Sequence, residues 1–140
     1  NKPRRIVLTI QKEVAERICA EPGDMSLLAL SVQVYGKPHI AAQIPAEAFF
    51  PVPTVDSSVL CVDIYDQPLI KQELLKTFFK LTKAGFSQKR KTLRNALAAG
   101  LRISTTEAAK FLTQTGIDSQ RRSETLSIEE WGKLSVIFAP

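Results

Sequence analysis

Residues 85–101 read GFSQKRKTLRNALAAGL, and the spacing of their apolar and basic side chains predicts a helix around which the rest of the chain is organised. At 3.6 residues per turn, Leu93 and Leu97 share one narrow apolar face, whereas Lys91 and Arg94 lie on the opposite side. A helix that only needs to be soluble usually places acids four residues from its bases, so that the charges pair. This stretch contains no acid, which favours a partner outside the helix.

The positive charge of the chain is concentrated in one block around that stretch. The 140 residues contain 19 Lys and Arg against 14 Asp and Glu, a formal net charge of +5. Residues 71–102 hold nine bases and a single acid, Glu73, which gives this segment a net charge of +8. A polyphosphate partner favours such a block, because each neutralised phosphate releases condensed counterions. A merely solvated surface is the alternative interpretation.

Length and composition restrict the class of protein. A chain of 140 residues that is 44% hydrophobic can bury an ordinary core and is long enough for one domain or two small ones. No apolar run approaches the roughly 20 residues of a membrane-spanning helix, and the N-terminal sequence resembles neither a signal peptide nor a transit peptide. We therefore expect a soluble, cytoplasmic protein without a membrane partner.

The cysteines and the single histidine do not indicate a metal site. Cys19 and Cys61 are far apart in sequence, and with only His39 they cannot supply the four ligands of a structural zinc ion. We expect both thiols to be reduced and part-buried, and we expect His39 to be a half-exposed structural residue. No metal is expected.

The first half of the chain is predicted to be an α/β unit. Residues 4–10 form a continuous β-branched apolar run, which is typical of a strand covered on both faces in a parallel sheet. Helices are predicted at residues 11–23 and 26–36, followed by strands at 38–45 and 57–65. This order is typical of the last strands and helices of an α/β sheet.

The second half is predicted to be entirely helical. One helix starts at Pro68, the basic helix follows it, and two more start at Ser104 and Ser127, where Ser-x-x-Glu patterns predict capping boxes. We expect Gly85 and Gly100 to end the first and second of these helices. The predicted fold class is therefore an α/β remnant of a Rossmann-like sheet at residues 1–66, followed by a small all-α domain at residues 67–140.

Five segments, in chain order, carry a family signature. They read IVLTIQKEVAERI, LSVQVYGKP, FFPVPTVDSSV, GFSQKRKTLRNAL and GIDSQRRSETLSIEEW, and together with their surroundings they cover essentially the whole chain. The most specific is FxPxPxVDSxV at residues 49–59, in which the prolines also predict a stiff, extended arm. On these motifs the chain resembles the KsgA-type small-subunit rRNA adenine dimethyltransferases.

The resemblance implies an S-adenosylmethionine-dependent enzyme that dimethylates N6 of two adjacent adenosines near the 3′ end of 16S rRNA during ribosome biogenesis. It implies a Rossmann-like domain followed by a small helical domain, a monomeric full-length enzyme, and small-subunit rRNA within the pre-30S subunit as partner. The Gly-rich loop and the Asn-Leu-Pro-Tyr loop of the family do not occur in this sequence. We therefore expect a C-terminal portion that binds no cofactor and is inactive alone.

The resemblance also assigns roles to particular residues. Phe49 is expected to stack on the target adenine, because a flipped base gains from an aromatic face, although it could instead plug the junction between sheet and arm. Phe50 is expected to be mostly core. The acid-free basic stretch, and not the resemblance, gives Lys89, Arg90, Lys91 and Arg94 as expected RNA-binding residues. Arg121 and Arg122 are also expected RNA-binding residues, although a structural role is favoured for them, with Glu124 as partner or a helix C-terminus as acceptor.

Two other functions remain open at this point. Relatives of this fold act as mitochondrial transcription factors, so the same helices could bind nucleic acid without catalysis. A macrolide-resistance branch methylates large-subunit rRNA, but the KRKTLRNAL segment and the long helical tail favour the small-subunit branch.

Overall fold

The computed structural model describes all 140 residues as three strands and six α-helices, joined by turns and three short 3-10 helices. None of the helices has both the length and the apolar character that crossing a bilayer requires. The order of the elements agrees with the predicted α/β part followed by a helical part. The elements are β1 (Arg5–Gln11), α1 (Lys12–Ile18), α2 (Leu27–Gln33), β2 (Gly36–Ile44), β3 (Ser57–Ile64), α3 (Leu75–Gly85), α4 (Leu93–Leu101), α5 (Thr105–Gln114) and α6 (Ile128–Phe138).

The sheet has three strands in the order β1-β3-β2, with β3 antiparallel to both neighbours. The two outer strands therefore run parallel to each other without touching. One face packs against α1 and α2 through a small cluster built on Ile18, Leu60 and Val62. The other face carries the remaining alternate residues of each strand, which include several polar side chains.

The prediction that residues 4–10 form a strand covered on both faces in a parallel sheet is wrong for this structure. β1 is an edge strand whose only neighbour is antiparallel, and Val7 on it is 60% exposed. The β-branched run is sufficient to specify a strand, but burial depends on what packs against it. Among these 140 residues, the main neighbours of β1 are β3 and α1.

The main core lies among α2 and the four helices of the second half. Trp131 of α6 is fully buried within it. Leu30 of α2 belongs to this core, whereas Leu28 of the same helix packs against the small cluster of the sheet. Helix α2 therefore connects the two halves, and the division into residues 1–66 and 67–140 stays a prediction.

The helix predicted at residues 85–101 is divided into two elements. α3 ends at Gly85, as predicted, but α4 begins only at Leu93, and residues 86–92 between them form turns. The helical placement of Lys89 to Lys91 is therefore wrong. Periodicity did not reveal the break, because the apolar residues on both sides of the turn still face the same core.

Hydroxyl groups account for the break. The Ser87 hydroxyl donates to the carbonyl of Ala84 at 2.6 Å, which satisfies an acceptor at the end of α3. Thr92 is the N-cap of α4, where its hydroxyl oxygen accepts from the Asn95 N–H at 3.4 Å. Ser and Thr compete with helical hydrogen bonds in this way, and they are favoured at caps for the same reason.

Two glycines allow the helices to approach one another closely. A Cβ atom on Gly100 would lie 2.6 Å from the Cβ atom of Ala84, and one on Gly85 would lie 2.6 Å from the ring of Trp131. Gly100 does not end α4, which continues through Leu101. The expectation that this glycine is a terminator is wrong, and its position reflects packing between α3 and α4.

The capping box at Ser127 is confirmed in full. The Ser127 hydroxyl oxygen accepts from the Glu130 N–H at 3.2 Å, and Glu130 Oε1 accepts from the Ser127 N–H at 3.0 Å. At Ser104 only the hydroxyl half of the box forms: the Ser104 hydroxyl oxygen accepts from the Glu107 N–H at 3.0 Å. Helix α5 therefore begins with a single side-chain cap.

Candidate nucleic-acid interface

Residues 86–92, hereafter the basic loop, connect α3 to α4. Lys89, Arg90 and Lys91 in this loop are all exposed, and none of them forms an ion pair. The chain does form ion pairs elsewhere, at Arg5 and Arg121. The three cations of the basic loop are therefore available to an external anion.

The C-terminal end of the basic loop is fixed by backbone hydrogen bonds. The Leu93 N–H donates to the carbonyl of Arg121 at 2.7 Å, and the Arg94 N–H donates to the carbonyl of Ser119 at 3.3 Å. With the Thr92 cap, these bonds occupy N–H groups of the first turn of α4. An anion at the basic loop therefore meets side chains and not an open helix terminus.

The N-terminal end of the basic loop is anchored in the main core. The ring of Phe86 lies 5.9 Å from that of Trp131, measured between centroids. The buried Ser123 hydroxyl donates to the carbonyl of Gly85 at 2.6 Å. Both ends of the basic loop are thus held by the core, and three consecutive exposed cations lie between them.

Arg94 differs from those three cations because it is half-buried. Its Nε donates to Asn95 Oδ1 at 3.3 Å, and no carboxylate pairs with it. The guanidinium is therefore only partly engaged by the protein. It lies in the first turn of α4, directly after the basic loop.

Helix α3 adds a row of lysines to which the sequence analysis gave no role. Lys76, Lys80 and Lys83 have the i, i+4, i+7 spacing of one helix face, and all three are exposed. Lys83 lies in the last turn of α3, next to the basic loop. That spacing was visible in the sequence and could have identified these residues.

Arg121 and Arg122 occupy different environments although they are neighbours in sequence. The guanidinium of Arg121 donates to both carboxylate oxygens of Glu130, and it also donates to the hydroxyl and the carbonyl oxygen of Thr125 at 3.2 and 2.7 Å. The partner of Arg121 is thus Glu130, and not Glu124 as the sequence suggested. Arg122 is exposed and forms no ion pair.

The ion pair of Arg121 changes the ionisation of both partners. The hydrogen bonds from Arg121 hold the pKa of Glu130 below its usual range, against the opposing effect of partial burial. The same hydrogen bonds raise the pKa of Arg121. Because Glu130 also closes the capping box of α6, this pair joins the turn before α6 to the helix itself.

Residues 49–55, hereafter the aromatic arm, protrude between β2 and β3. Phe49 is 37% exposed and Phe50 is 99% exposed, so the expectation that Phe50 belongs to the core is wrong. The prolines prevent the arm from folding back as a helix, which leaves the second ring without a packing partner. Asp56 Oδ1 accepts from the Ala46 N–H at 2.8 Å and ties the two ends of the connection together.

A cleft of about 720 Å³ separates the basic loop from α1 and the start of α2. Its charged lining contains three acids and three bases, so the cleft as a whole is close to neutral, and Arg90 is not part of the lining. The charged lining residues are Glu13, Arg17, Asp24, Lys89, Lys91 and Glu124.

Comparison with solved structures identifies the fold. The chain superposes on a dimethyladenosine transferase from Plasmodium falciparum with a TM-score of 0.76 and 22% identity, over 94% of this chain and 55% of the other. It superposes on the 23S rRNA methyltransferase ErmE with a TM-score of 0.66 and 17% identity, over 98% of this chain and 55% of the other. The chain therefore has a fold found in part of these rRNA methyltransferases.

Sequence comparison is more specific. The family described as "Ribosomal RNA adenine dimethylase" matches residues 1–139, and the chain belongs to that family. It is 47% identical over 138 residues to the "Ribosomal RNA small subunit methyltransferase A" of Dehalococcoides mccartyi strain CBDB1, over 99% of this chain and 47% of that protein. The protein of the same name from Syntrophotalea carbinolica is 46% identical over 139 residues, 97% of this chain and 52% of the relative. The chain thus spans about half the length of the curated relatives it matches.

Proposed function

We propose that this chain supplies the RNA-docking surface and part of the adenine pocket of an S-adenosylmethionine-dependent rRNA methyltransferase. The enzyme dimethylates N6 of two adjacent adenosines near the 3′ end of 16S rRNA, in the pre-30S subunit during ribosome biogenesis. The observation that carries the proposal is the exposed, unpaired basic loop in a chain of the rRNA adenine dimethylase family. Support also comes from relatives named as small-subunit rRNA methyltransferases.

In this proposal the basic loop binds phosphates. Lys89, Arg90 and Lys91 contact the RNA backbone, while Arg94 and Arg122 add contacts at the edge. A-form RNA hides its base edges in a deep, narrow major groove, so a surface of this kind recognises the path of the backbone more than its sequence. Arg121, whose guanidinium already binds Glu130 and Thr125, contributes by holding the carbonyl that anchors α4.

The aromatic arm contributes to the adenine pocket. Methylation of an exocyclic nitrogen requires the base to leave its stack, and an aromatic face beside the extruded base compensates part of that loss. Phe49 fills this role, since its ring is partly exposed at the start of a stiff arm. The fully exposed ring of Phe50 offers a second face to a neighbouring unpaired base.

In this proposal S-adenosylmethionine supplies the methyl group and is bound by a part of the enzyme other than this chain. Cofactor cradles in α/β folds usually use glycines between a strand and the following helix, where the backbone can approach the ligand. Here β1 ends at Gln11 and α1 begins at Lys12, without a glycine between them. We assign no residue of this chain to the cofactor.

The test is the salt dependence of RNA binding. The double variant Lys89→Ala/Lys91→Ala removes two charges from the basic loop, and Lys110→Ala/Lys133→Ala removes two other exposed lysines, from α5 and α6. Binding to an RNA hairpin from the 3′ end of 16S rRNA is followed by fluorescence anisotropy across a range of KCl concentrations. The first variant should lower the slope of log K against log salt by about 1.4 to 1.8, because each lost phosphate contact removes 0.7 to 0.9.

The control variant should leave that slope within experimental error of the unmodified chain. Equal slopes for the two variants would contradict RNA docking by the basic loop.

A further inference from the structure

The face of the sheet away from α1 and α2 brings a cysteine, a histidine and an aspartate together. His39 on β2 is directly opposite Cys61 on β3 in the antiparallel register. Asp63 is two residues further along β3 and therefore projects from the same face as Cys61. One ligand atom from each of the three side chains lies within 4.8 Å of the others. Sequence spacing did not reveal this set, because β pairing and not proximity in the chain creates it.

We propose that His39, Cys61 and Asp63 form a binding site for a divalent transition-metal ion, with Zn²⁺ as the preferred ion. A thiolate, an imidazole and a carboxylate are all ligands that zinc uses, and three protein ligands leave a fourth position for water. Magnesium and calcium prefer oxygen ligands alone, so the thiolate disfavours them. Bound metal would join β2 to β3 on the exposed face of the sheet.

The separations fit one ion better than they fit a direct hydrogen bond. His39 Nδ1 and Asp63 Oδ2 are 3.8 Å apart, which is too far for a hydrogen bond between them. Tetrahedral zinc, with bonds of about 2.0 to 2.3 Å, places its ligand atoms about 3.3 to 3.6 Å apart. Even the widest separation in the cluster therefore needs only about 1 Å of movement to reach that geometry.

Arg5 orients the carboxylate for this purpose. Its Nε donates to Asp63 Oδ1 at 2.7 Å, which leaves Oδ2, the oxygen nearer to His39, without a hydrogen-bond partner. Ligands of metal ions are commonly held in orientation by such outer hydrogen bonds. The thiolate and the carboxylate together balance the charge of the ion, so Arg5 need not be displaced.

Access to the site is open from solvent. Cys61 is buried and is a free thiol, whereas the side chains of His39 and Asp63 are 51% and 44% exposed. An ion can therefore enter between the two exposed ligands and reach the sulfur beneath them. The only other thiol, Cys19, has no place in the cluster and serves as a matched control.

Cobalt is the probe for the test, since Co²⁺ bound by thiolate has a charge-transfer absorption that other sites lack. Titration of the reduced chain with Co²⁺ should give this band with a stoichiometry of one ion per chain, and one equivalent of Zn²⁺ should abolish it. Cys61→Ser should remove the band, and Cys19→Ser should leave it unchanged. His39→Gln, which changes an exposed side chain, should weaken Co²⁺ binding at least ten-fold while the far-ultraviolet circular dichroism stays the same.

A Co²⁺ signal that does not saturate, or one that survives Cys61→Ser, would overturn the proposal and leave Arg5, His39 and Asp63 as a surface ion network only. A Co²⁺ affinity that His39→Gln leaves unchanged would also overturn the proposal. Failure here is separable from failure of RNA docking, because His39→Gln should leave the affinity for the RNA hairpin unchanged.

Discussion

The adjacent residues Arg121 and Arg122 should respond in opposite ways to the same substitution. Arg121→Met removes the ion pair with Glu130 and two hydrogen bonds to Thr125. The side chains of Arg121 and Glu130 are 32% and 26% exposed. Exposed pairs contribute about 0.2 to 1 kcal/mol and hydrogen bonds to charged groups about 1.5 to 3 kcal/mol, so we expect a loss of about 2 kcal/mol. That loss should lower the melting temperature by about 6 to 10 °C. Arg122→Met removes an exposed, unpaired side chain and should change stability by less than about 0.5 kcal/mol.

For RNA binding, the larger effect should come from Arg122 and not from Arg121. Arg122→Met should reduce the slope of log K against log salt by about 0.7 to 0.9, whereas Arg121→Met, measured well below its melting temperature, should leave the slope unchanged. Melting is followed by circular dichroism and binding by anisotropy of a labelled hairpin. A smaller slope for Arg121→Met without a fall in melting temperature would refute the assignment of Arg121 to the fold. A coupling energy below about 0.5 kcal/mol between Arg121→Met and Glu130→Gln in a double-mutant cycle would also refute that assignment.

Three further variants test other parts of the structure. Because the pKa of Glu130 is lowered in the folded state, its contribution to stability is present at neutral pH and is lost as the pH falls from about 4.3 through the folded pKa. Glu130→Gln should therefore flatten the acid dependence of the melting temperature, and a parallel curve would contradict the pair. Gly100→Ala, with its Cβ atom 2.6 Å from that of Ala84, should cost about 1 to 3 kcal/mol in urea unfolding. Gly132→Ala places its Cβ atom 3.0 Å from the terminal methyl group of Ile70 and should cost less than Gly100→Ala; equal costs would refute close packing at Gly100. Phe50→Ala should weaken binding of a loop with unpaired adenines at least about five-fold and leave stability and duplex binding unchanged, and an unchanged loop affinity would show that Phe50 does not stack on an unpaired base.

Local signals in the sequence predicted the element types well. The Ser-x-x-Glu pattern at Ser127 identified the start of α6, because both halves of a capping box lie within four residues of one another. The family signature at residues 49–59 identified the family that the comparison confirmed. In each case the information is contained in a few consecutive residues.

Properties set by distant neighbours could not be predicted in the same way. Burial of β1 depends on what covers it, and a β-branched run carries no information about the cover. The exposure of Phe50 arose because prolines hold its ring away from the core, which outweighed the general tendency of phenylalanine to be buried. The cluster around Cys61 requires the register of β2 and β3, which the sequence does not specify until the strands are paired.

The break between α3 and α4 changes how the cations of the basic loop can be used. In a continuous helix, successive side chains point about 100° apart, so Lys89, Arg90 and Lys91 would surround the axis and a flat partner would meet one or two of them. In a turn the backbone does not impose that angle, and all three are exposed on a short segment. The ends of that segment are fixed by the Ser87 and Thr92 hydroxyls. The same hydroxyls that defeat the helix prediction therefore also fix the ends of the segment that carries these three exposed cations.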